Sequence, residues 1–256
     1  MKQTTLQQRP YQEVGTLLRA MIVDNAYRTG DRLPPEREIA ERLNVSRTVV
    51  REALIMLELE GIIDVRRGAG IYITRLPGDA TGSALPAAHH QCNNAGPFEL
   101  LQARQLLESN IAEFAALQAT RGDIMKMRAA LHMQQQDLAA DSHEQGDEAF
   151  HLAIAEATHN TMLVELFKQS WQWRENNPMW IQLHSHLKDT QYRQEWLVDH
   201  QHILAALIKK NAQAAKLAMW QHLENVKTRL LALSDVDDIN FDGYLFDSWP
   251  LAARRP

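Results

Sequence analysis

Leu33-Pro34-Pro35-Glu36-Arg37-Glu38-Ile39-Ala40-Glu41-Arg42-Leu43-Asn44-Val45-Ser46-Arg47-Thr48-Val49-Val50-Arg51-Glu52-Ala53-Leu54 reads as helix, tight turn, helix. Pro34 and Pro35 suit the opening of the first helix, where a fixed φ fits and the missing N–H is no loss. Ile39, Ala40 and Leu43 give that helix an apolar stripe. Asn44-Val45 breaks it, and Ser46 is suited to cap the next helix. From there Val49, Val50, Ala53, Leu54 and Leu57 face inward at helical spacing. Arg47, Thr48 and Arg51 are left on the opposite face, near the end of the helix that meets base edges when such a helix lies in a major groove.

The next segment, Gly61-Ile62-Ile63-Asp64-Val65-Arg66-Arg67-Gly68-Ala69-Gly70-Ile71-Tyr72-Ile73, has the period of two expected of strands, at Ile63, Val65, Ile71 and Ile73. Gly68 and Gly70 permit turn geometries closed to other residues. A hairpin tipped by Arg66 and Arg67, following such a helix pair, makes a winged helix-turn-helix whose wing lies along phosphates. An amphipathic helix pair with a solvated basic face would explain the first half alone. It would not explain the hairpin.

The 256 residues are 45% hydrophobic and 23% charged, values of a globular protein. No apolar run approaches the roughly 18 residues of a membrane span, and Met1-Lys2-Gln3-Thr4-Thr5 lacks the apolar core of a signal peptide. A single cysteine, Cys92, excludes an internal disulfide and fits a reducing, cytoplasmic setting. The net charge of −5 is unevenly spread. Residues 1–75 carry 12 basic and 10 acidic side chains, against 15 and 22 in the remainder. All 11 histidines fall after residue 88. A mildly basic module with an acidic partner can bind DNA and stay soluble.

Residues 76–97 are dominated by proline, glycine, alanine and small polar residues and read as a linker between the module at 1–75 and the rest. Beyond them the pattern is helical: Phe98–Ala119, a helix capped by Thr120 and running to Ala140, then roughly Glu144–Thr158, Thr161–Asn176, Thr190–Lys210 and Ala212–Leu233. Asn160 and Asn211 are further caps, and Pro178 with the segment to Leu187 interrupts the series. The expected fold is therefore mainly α: a winged helix-turn-helix followed by an all-α bundle over 98–235. The tail 236–256, with Phe241, Tyr244, Phe246 and Trp249, is too aromatic for simple disorder.

Asp147 and His151 stand four apart on one helix face, while His200 and His222 lie mid-helix among apolar residues. One carboxylate and three imidazoles converging in a bundle core would hold a divalent transition metal such as Zn, Ni, Mn or Co. Spacing alone favours core or surface histidines in ordinary hydrogen bonds. His89, His90, His132, His143 and His186 carry no such pattern. Arg104 interrupts the apolar stripe Leu100, Leu107 and Ile111 and requires an anionic partner, either Glu108 one turn on or an anionic ligand. Trp171, Trp173, Arg174 and Trp180 either wall a pocket or are simply core.

The first half, from Leu33-Pro34-Pro35-Glu36-Arg37 to Arg67-Gly68-Ala69-Gly70, resembles the GntR family of bacterial transcription regulators. The second half, with Arg104-Gln105-Leu106-Leu107-Glu108, Asp147-Glu148-Ala149-Phe150-His151, His200 and His222, resembles the FadR-type (FCD) effector domain of that family. Gly96-Pro97-Phe98-Glu99-Leu100-Leu101-Gln102-Ala103-Arg104 and Ala218-Met219-Trp220-Gln221-His222-Leu223-Glu224-Asn225 are similar to the members that repress hexuronate catabolism, notably its glucuronate branch. The resemblance implies that Arg37, Arg47 and Arg51 contact operator DNA, with Ser46 and Thr48 assisting and Arg66, Arg67 and Gly68 at the wing. It implies that Asp147, His151, His200 and His222 are metal ligands, that Arg104 and Arg174 line an effector pocket, and that the chain is a homodimer on a palindrome.

The expected activity is repression released by a uronate, glucuronate or fructuronate, held at a metal-containing helical domain. Two alternatives stay open at this stage. The ion itself could be the signal, or the Asp/His set could serve a metal-dependent enzyme. Against the enzyme stand the missing His-Glu-x-x-His and Gly-x-Ser-x-Gly patterns and the presence of a DNA-binding module.

Overall fold

The computed structural model describes residues 9–66, 69–78, 95–140, 145–186 and 191–231. The chain forms two compact units. One takes Met1–Phe98, Asn177–His186 and Leu231–Pro256; the other takes Glu99–Asn176 and Leu187–Leu230.

In the first unit, α1 (Pro10–Asp24), α2 (Glu36–Leu43) and α3 (Arg47–Leu59) precede a hairpin of β1 (Ile63–Arg66) and β2 (Gly70–Ile73). The sequence pattern around residue 33 gives no hint of α1. It buries Tyr11, Val14, Leu18 and Ile22 on one side, at the i, i+3/i+4 spacing that packs a helix onto a neighbour. That neighbour is α3, which contributes Val50, Ala53, Leu54 and Leu57, all at most 1% exposed. Pro35 is the residue before α2 rather than within its first turn, with ψ of 154°. Asn44 ends α2 in the left-handed conformation at φ 52°, and the Ser46 hydroxyl accepts the Val49 N–H at 3.2 Å to open α3. The turn between the helices is therefore set by two side chains suited to it.

The hairpin pairs Ile63 with Ile73, Asp64 with Tyr72, Val65 with Ile71 and Arg66 with Gly70. Gly70 adopts φ 114°, a region closed to side-chain-bearing residues. The segment before α2 joins the other side of β2. Gly30 N–H bonds to the Ile73 carbonyl at 2.7 Å, and Leu33 N–H to that of Ile71 at 2.8 Å. Ile63, Ile71 and Ile73 turn into the core. The short helix α8 (Pro178–Ser185) belongs to this unit and packs on α3. Asn177 opens it by accepting from Met179 and Trp180 N–H groups at 2.9 and 3.1 Å. In the sequence this stretch reads only as an interruption, because Pro178 at a first helical position looks the same as a breaker.

The second unit is helical throughout its described residues: α4 (Pro97–Gln118, from residue 99), α5 (Arg121–Ala140), α6 (Gln145–Glu156), α7 (Thr161–Glu175), α9 (Gln191–Ile208) and α10 (Ala212–Leu231, to residue 230). Thr120 and Asp123 cap α5 reciprocally, and Asn160 and Asn211 cap α7 and α10. Ala112, Ala115, Ala116, Met127, Phe150, Ile154, Phe167, Ile203, Leu207, Met219 and Leu223 form the core between the helices. No described helix is long and apolar enough to cross a membrane. Cys92, Arg67, Gly68, His89, His90, His143 and the tail 236–256 lie outside the described residues.

Candidate functional site

Asp147 and His151 on α6, His200 on α9 and His222 on α10 meet inside the second unit, none more than 5% exposed. One donor atom from each lies within 4.8 Å of all the others. His200 Nε2 stands 3.2 Å from both His151 Nε2 and His222 Nε2. Asp147 Oδ1 lies 3.7 Å from His200 Nε2 and 3.9 Å from His151 Nε2.

The opposite nitrogens fix how the three rings are turned. His151 Nδ1 meets a carboxylate oxygen of Glu108, His200 Nδ1 the side-chain oxygen of Gln134 at 2.9 Å, and His222 Nδ1 the Asp199 carboxylate at 3.3 Å. Each of those partners only accepts at that atom, so each imidazole carries its hydrogen on Nδ1 and turns a lone pair inward on Nε2. Three lone pairs and a carboxylate facing one another repel unless a cation sits among them. Nitrogens bound about 2.1 Å from one ion are about 3.0–3.4 Å apart; the two Nε2 spacings of 3.2 Å to His200 fall in that interval, while Asp147 Oδ1 stands farther out at 3.7 and 3.9 Å. The outer acceptors are those that orient metal-ligating histidines.

Electrostatics agree. Burial pushes the His200 and His222 imidazoles down, His200 well below its ordinary value, so both stay neutral and able to ligate. Burial would raise the Asp147 carboxyl, but Arg174 and the three imidazoles outweigh it and hold Asp147 well below the carboxylate range. Glu108 is likewise held down to about 2, burial being overcome by Arg104 and His151. The donor set is three imidazoles and one anion, a combination suited to a divalent transition metal.

Arg104 Nε pairs with Glu108 at 2.6 Å, and Arg174 Nη1 with Asp147 at 3.3 Å. Glu108 is thus the anion that Arg104 requires. The two guanidinium groups also lie 4.7 and 4.4 Å from the ring centre of Trp171, so both lean on the same indole beside the centre. Trp180 is elsewhere: it stacks on His184 in α8. A small cavity of about 10 Å³, partly open to solvent, reaches Asp147 between Gln134, Asp137, Leu138, Arg193 and Trp196.

On the helix-turn-helix, Arg37 is exposed and shares an ion pair with Glu41 at 2.9 Å, and Arg66 is exposed with Asp64 at 2.7 Å. The Arg66 guanidinium lies over Tyr72. Arg47 is half-buried at the start of α3, beside Ser46. Thr48 and Arg51 are not on an open face as the helical spacing predicts, being 8% and 4% exposed. The Glu36 carboxylate holds Arg51 Nε at 2.7 Å, and the Leu231 carbonyl accepts from Arg51 Nη2 at 2.9 Å. A face reckoned from the apolar stripe of α3 alone cannot register a carboxylate brought over from α2.

Residues 10–73 match the model of bacterial regulatory proteins of the gntR family, and residues 99–225 match the FCD domain. The chain is 70% identical over 254 residues to the Uxu operon transcriptional regulator of Escherichia coli K12, covering 98% of each chain. The chain belongs to the GntR family. Two further relatives are the Uxu operon regulator of Haemophilus influenzae, 50% identical over 95% of this chain and 90% of that one, and the Exu regulon transcriptional regulator of Escherichia coli K12, 46% identical over 95% and 93%. This GntR chain joins an N-terminal DNA-binding module with a small sheet to a helical FCD half.

Sequence reasoning missed Gln134 and Asp199 as partners of the clustered imidazoles, and Arg193 and Trp196 at the cavity. Asp199 adjoins His200 in sequence, yet it serves His222. Gln134 carries no signal in the sequence, since its role arises from where α5 meets α9.

Proposed function

We propose that this GntR-family chain represses genes of hexuronate catabolism, binding a palindromic operator as a homodimer and leaving it when a uronate occupies the FCD half. The 70% identity to the Uxu operon regulator along nearly the whole of both chains carries this reading. Arg37 and Arg66, which are exposed, and Arg47, half-buried beside Ser46, would contact the operator, with Arg67 and Gly68 assisting. Arginine contacts to guanine would supply about 1–3 kcal/mol of discrimination per pair. Arg51 and Thr48 would join them only after Arg51 leaves Glu36 and the Leu231 carbonyl. Leu106, Phe114 and Leu117, each at least 38% exposed, fall on one side of α4 and offer an apolar face to a second copy.

Asp147, His151, His200 and His222 would hold Zn, Ni, Mn or Co, which when bound supplies a positive charge able to accept an oxygen ligand. Arg104 and Arg174, packed on Trp171, would pair with the uronate carboxylate as the effector approaches. Release requires only that the uronate favour the arrangement that does not bind DNA.

Fluorescence anisotropy on labelled DNA from upstream of uronate-pathway genes tests this, with and without glucuronate and fructuronate at fixed salt. Tight binding released by one of them is the expected result. Release by metal alone would make the ion the signal, and operator affinity unmoved by a bound uronate would end the inducer model.

A further inference from the structure

The first turn of α6 carries Asp147, and the residue before it is glycine. A Cβ on Gly146 would overlap the backbone nitrogen and Cα of Gln134 on α5, far inside van der Waals contact. Those are main-chain atoms of a helix interior, which cannot swing aside as a flexible side chain can. Gln134 is also the residue whose side-chain oxygen holds His200 Nδ1 at 2.9 Å. The Gly146 N–H, one of the unpaired donors at the start of α6, is taken by the Asp137 carboxylate of α5 at 2.7 Å. At a single crossing, therefore, α5 and α6 fix one member of the donor cluster and the acceptor that orients another.

We infer that Gly146 is a positioning residue for the metal centre. Its missing side chain lets α6 seat on α5 at the distance where Asp147 and the Gln134-held His200 reach one point. Asp137 locks that seating through the Gly146 N–H. The inference rests on the metal reading above and adds to it a residue that touches neither ion nor effector. Adding one methyl group there separates the helices, drawing Asp147 away from the three Nε2 atoms and loosening Gln134 at once.

The test uses the full-length chain titrated with Co²⁺ and with Zn²⁺ in competition, reading affinity and the visible Co²⁺ spectrum. Gly146→Ala is expected to weaken Co²⁺ binding on the order of 10–100-fold, the range for loss of an orienting partner, and to alter the spectrum as the carboxylate withdraws. Leu207→Ala, a core truncation on α9 away from the crossing, is expected to lower thermal stability while keeping wild-type affinity and spectrum. Gly122→Ala, on α5 with only Thr120 in ordinary contact, is expected to change neither. Should Gly146→Ala not fold, Asp137→Asn carries the test, with a smaller loss in the same direction. Wild-type affinity and spectrum in the folded crossing variant would overturn the inference and leave the metal reading standing. Equal losses in Leu207→Ala would reduce Gly146 to ordinary packing and overturn it too. A wild-type chain that binds neither ion would overturn both.

Discussion

Glu108 joins His151 to Arg104: one carboxylate oxygen meets the imidazole Nδ1 and the other the guanidinium Nε, all three side chains at most 3% exposed. A candidate ligand of the proposed metal centre and a candidate effector contact thus share one anion. Glu108→Gln keeps the shape and removes the charge. Metal affinity is expected to fall on the order of 10–100-fold, because the outer partner of a ligating histidine is weakened. Thermal stability should also fall, by an amount corresponding to about 3–5 kcal/mol, since Arg104 is left buried without its counter-charge. Competition titration with Zn²⁺ and a melting curve measure the two effects separately. Unchanged metal affinity would detach Glu108 from the centre.

Protons compete with the same centre. His200 and His222 are held down by burial, so below about pH 6.5 the unfolded chain takes up protons that the folded chain refuses. Stability from these two groups is present above that pH and is lost as pH falls towards their depressed folded values. The Glu108 and Asp147 carboxylates add a second loss at lower pH, beginning below the ordinary carboxylate range near 4. The metal-free chain should therefore lose melting temperature between pH 7 and 5. The metal-loaded chain should release its ion over the same interval, because ligation needs deprotonated donors. A melting temperature flat from pH 7 to 5 in the metal-free chain would contradict buried neutral imidazoles.

The sequence makes local features of this site visible and non-local ones invisible. Asp147 and His151 are readable because four residues is one helical turn. The caps Ser46, Thr120, Asn160 and Asn211 are readable because each acts within three residues of itself. His200 and His222 acquire meaning only through the resemblance, since helical period places them inward but says nothing about what they face. Gln134, Asp199 and Glu36 act across helix pairs, and no periodicity within one helix encodes such a meeting. The helix α1 escapes for a different reason: it supplies core to α3 without a motif of its own.

Arg51 is expected to behave as a buttress in the free protein. Its guanidinium ties α3 to Glu36 of α2, both side chains being 5% exposed, and burial lowers its pKa against the pull of Glu36. Arg51→Ala takes a buried counter-charge away from the Glu36 carboxylate, a loss of about 3–5 kcal/mol. A double-mutant cycle with Glu36→Gln, followed by denaturant unfolding, should show strong coupling between the two positions. Additive effects would mean that the pair contributes little and that Arg51 is available to DNA at small cost.

Arg47 and Arg66 should separate base reading from charge. Arg47 stands at the N-terminal end of α3, the part of a recognition helix that reaches base edges, whereas Arg66 lies on the hairpin and is exposed. Arg47→Ala should cost about 1–3 kcal/mol on the operator and far less on random DNA. Arg66→Ala should weaken both DNAs alike and reduce the salt slope by about 1, as the loss of one phosphate contact requires. Arg66 lies on the hairpin, away from the Arg51–Glu36 pair, whereas Arg47 acts electrostatically on Arg51, so melting curves of both variants, read beside the titrations, separate lost contacts from lost stability. Anisotropy titrations at three salt concentrations, on operator and random duplexes, yield both quantities from one set of measurements. Equal losses on the two duplexes for Arg47→Ala would remove it from base readout and shift sequence recognition to Arg37 and the far end of the turn.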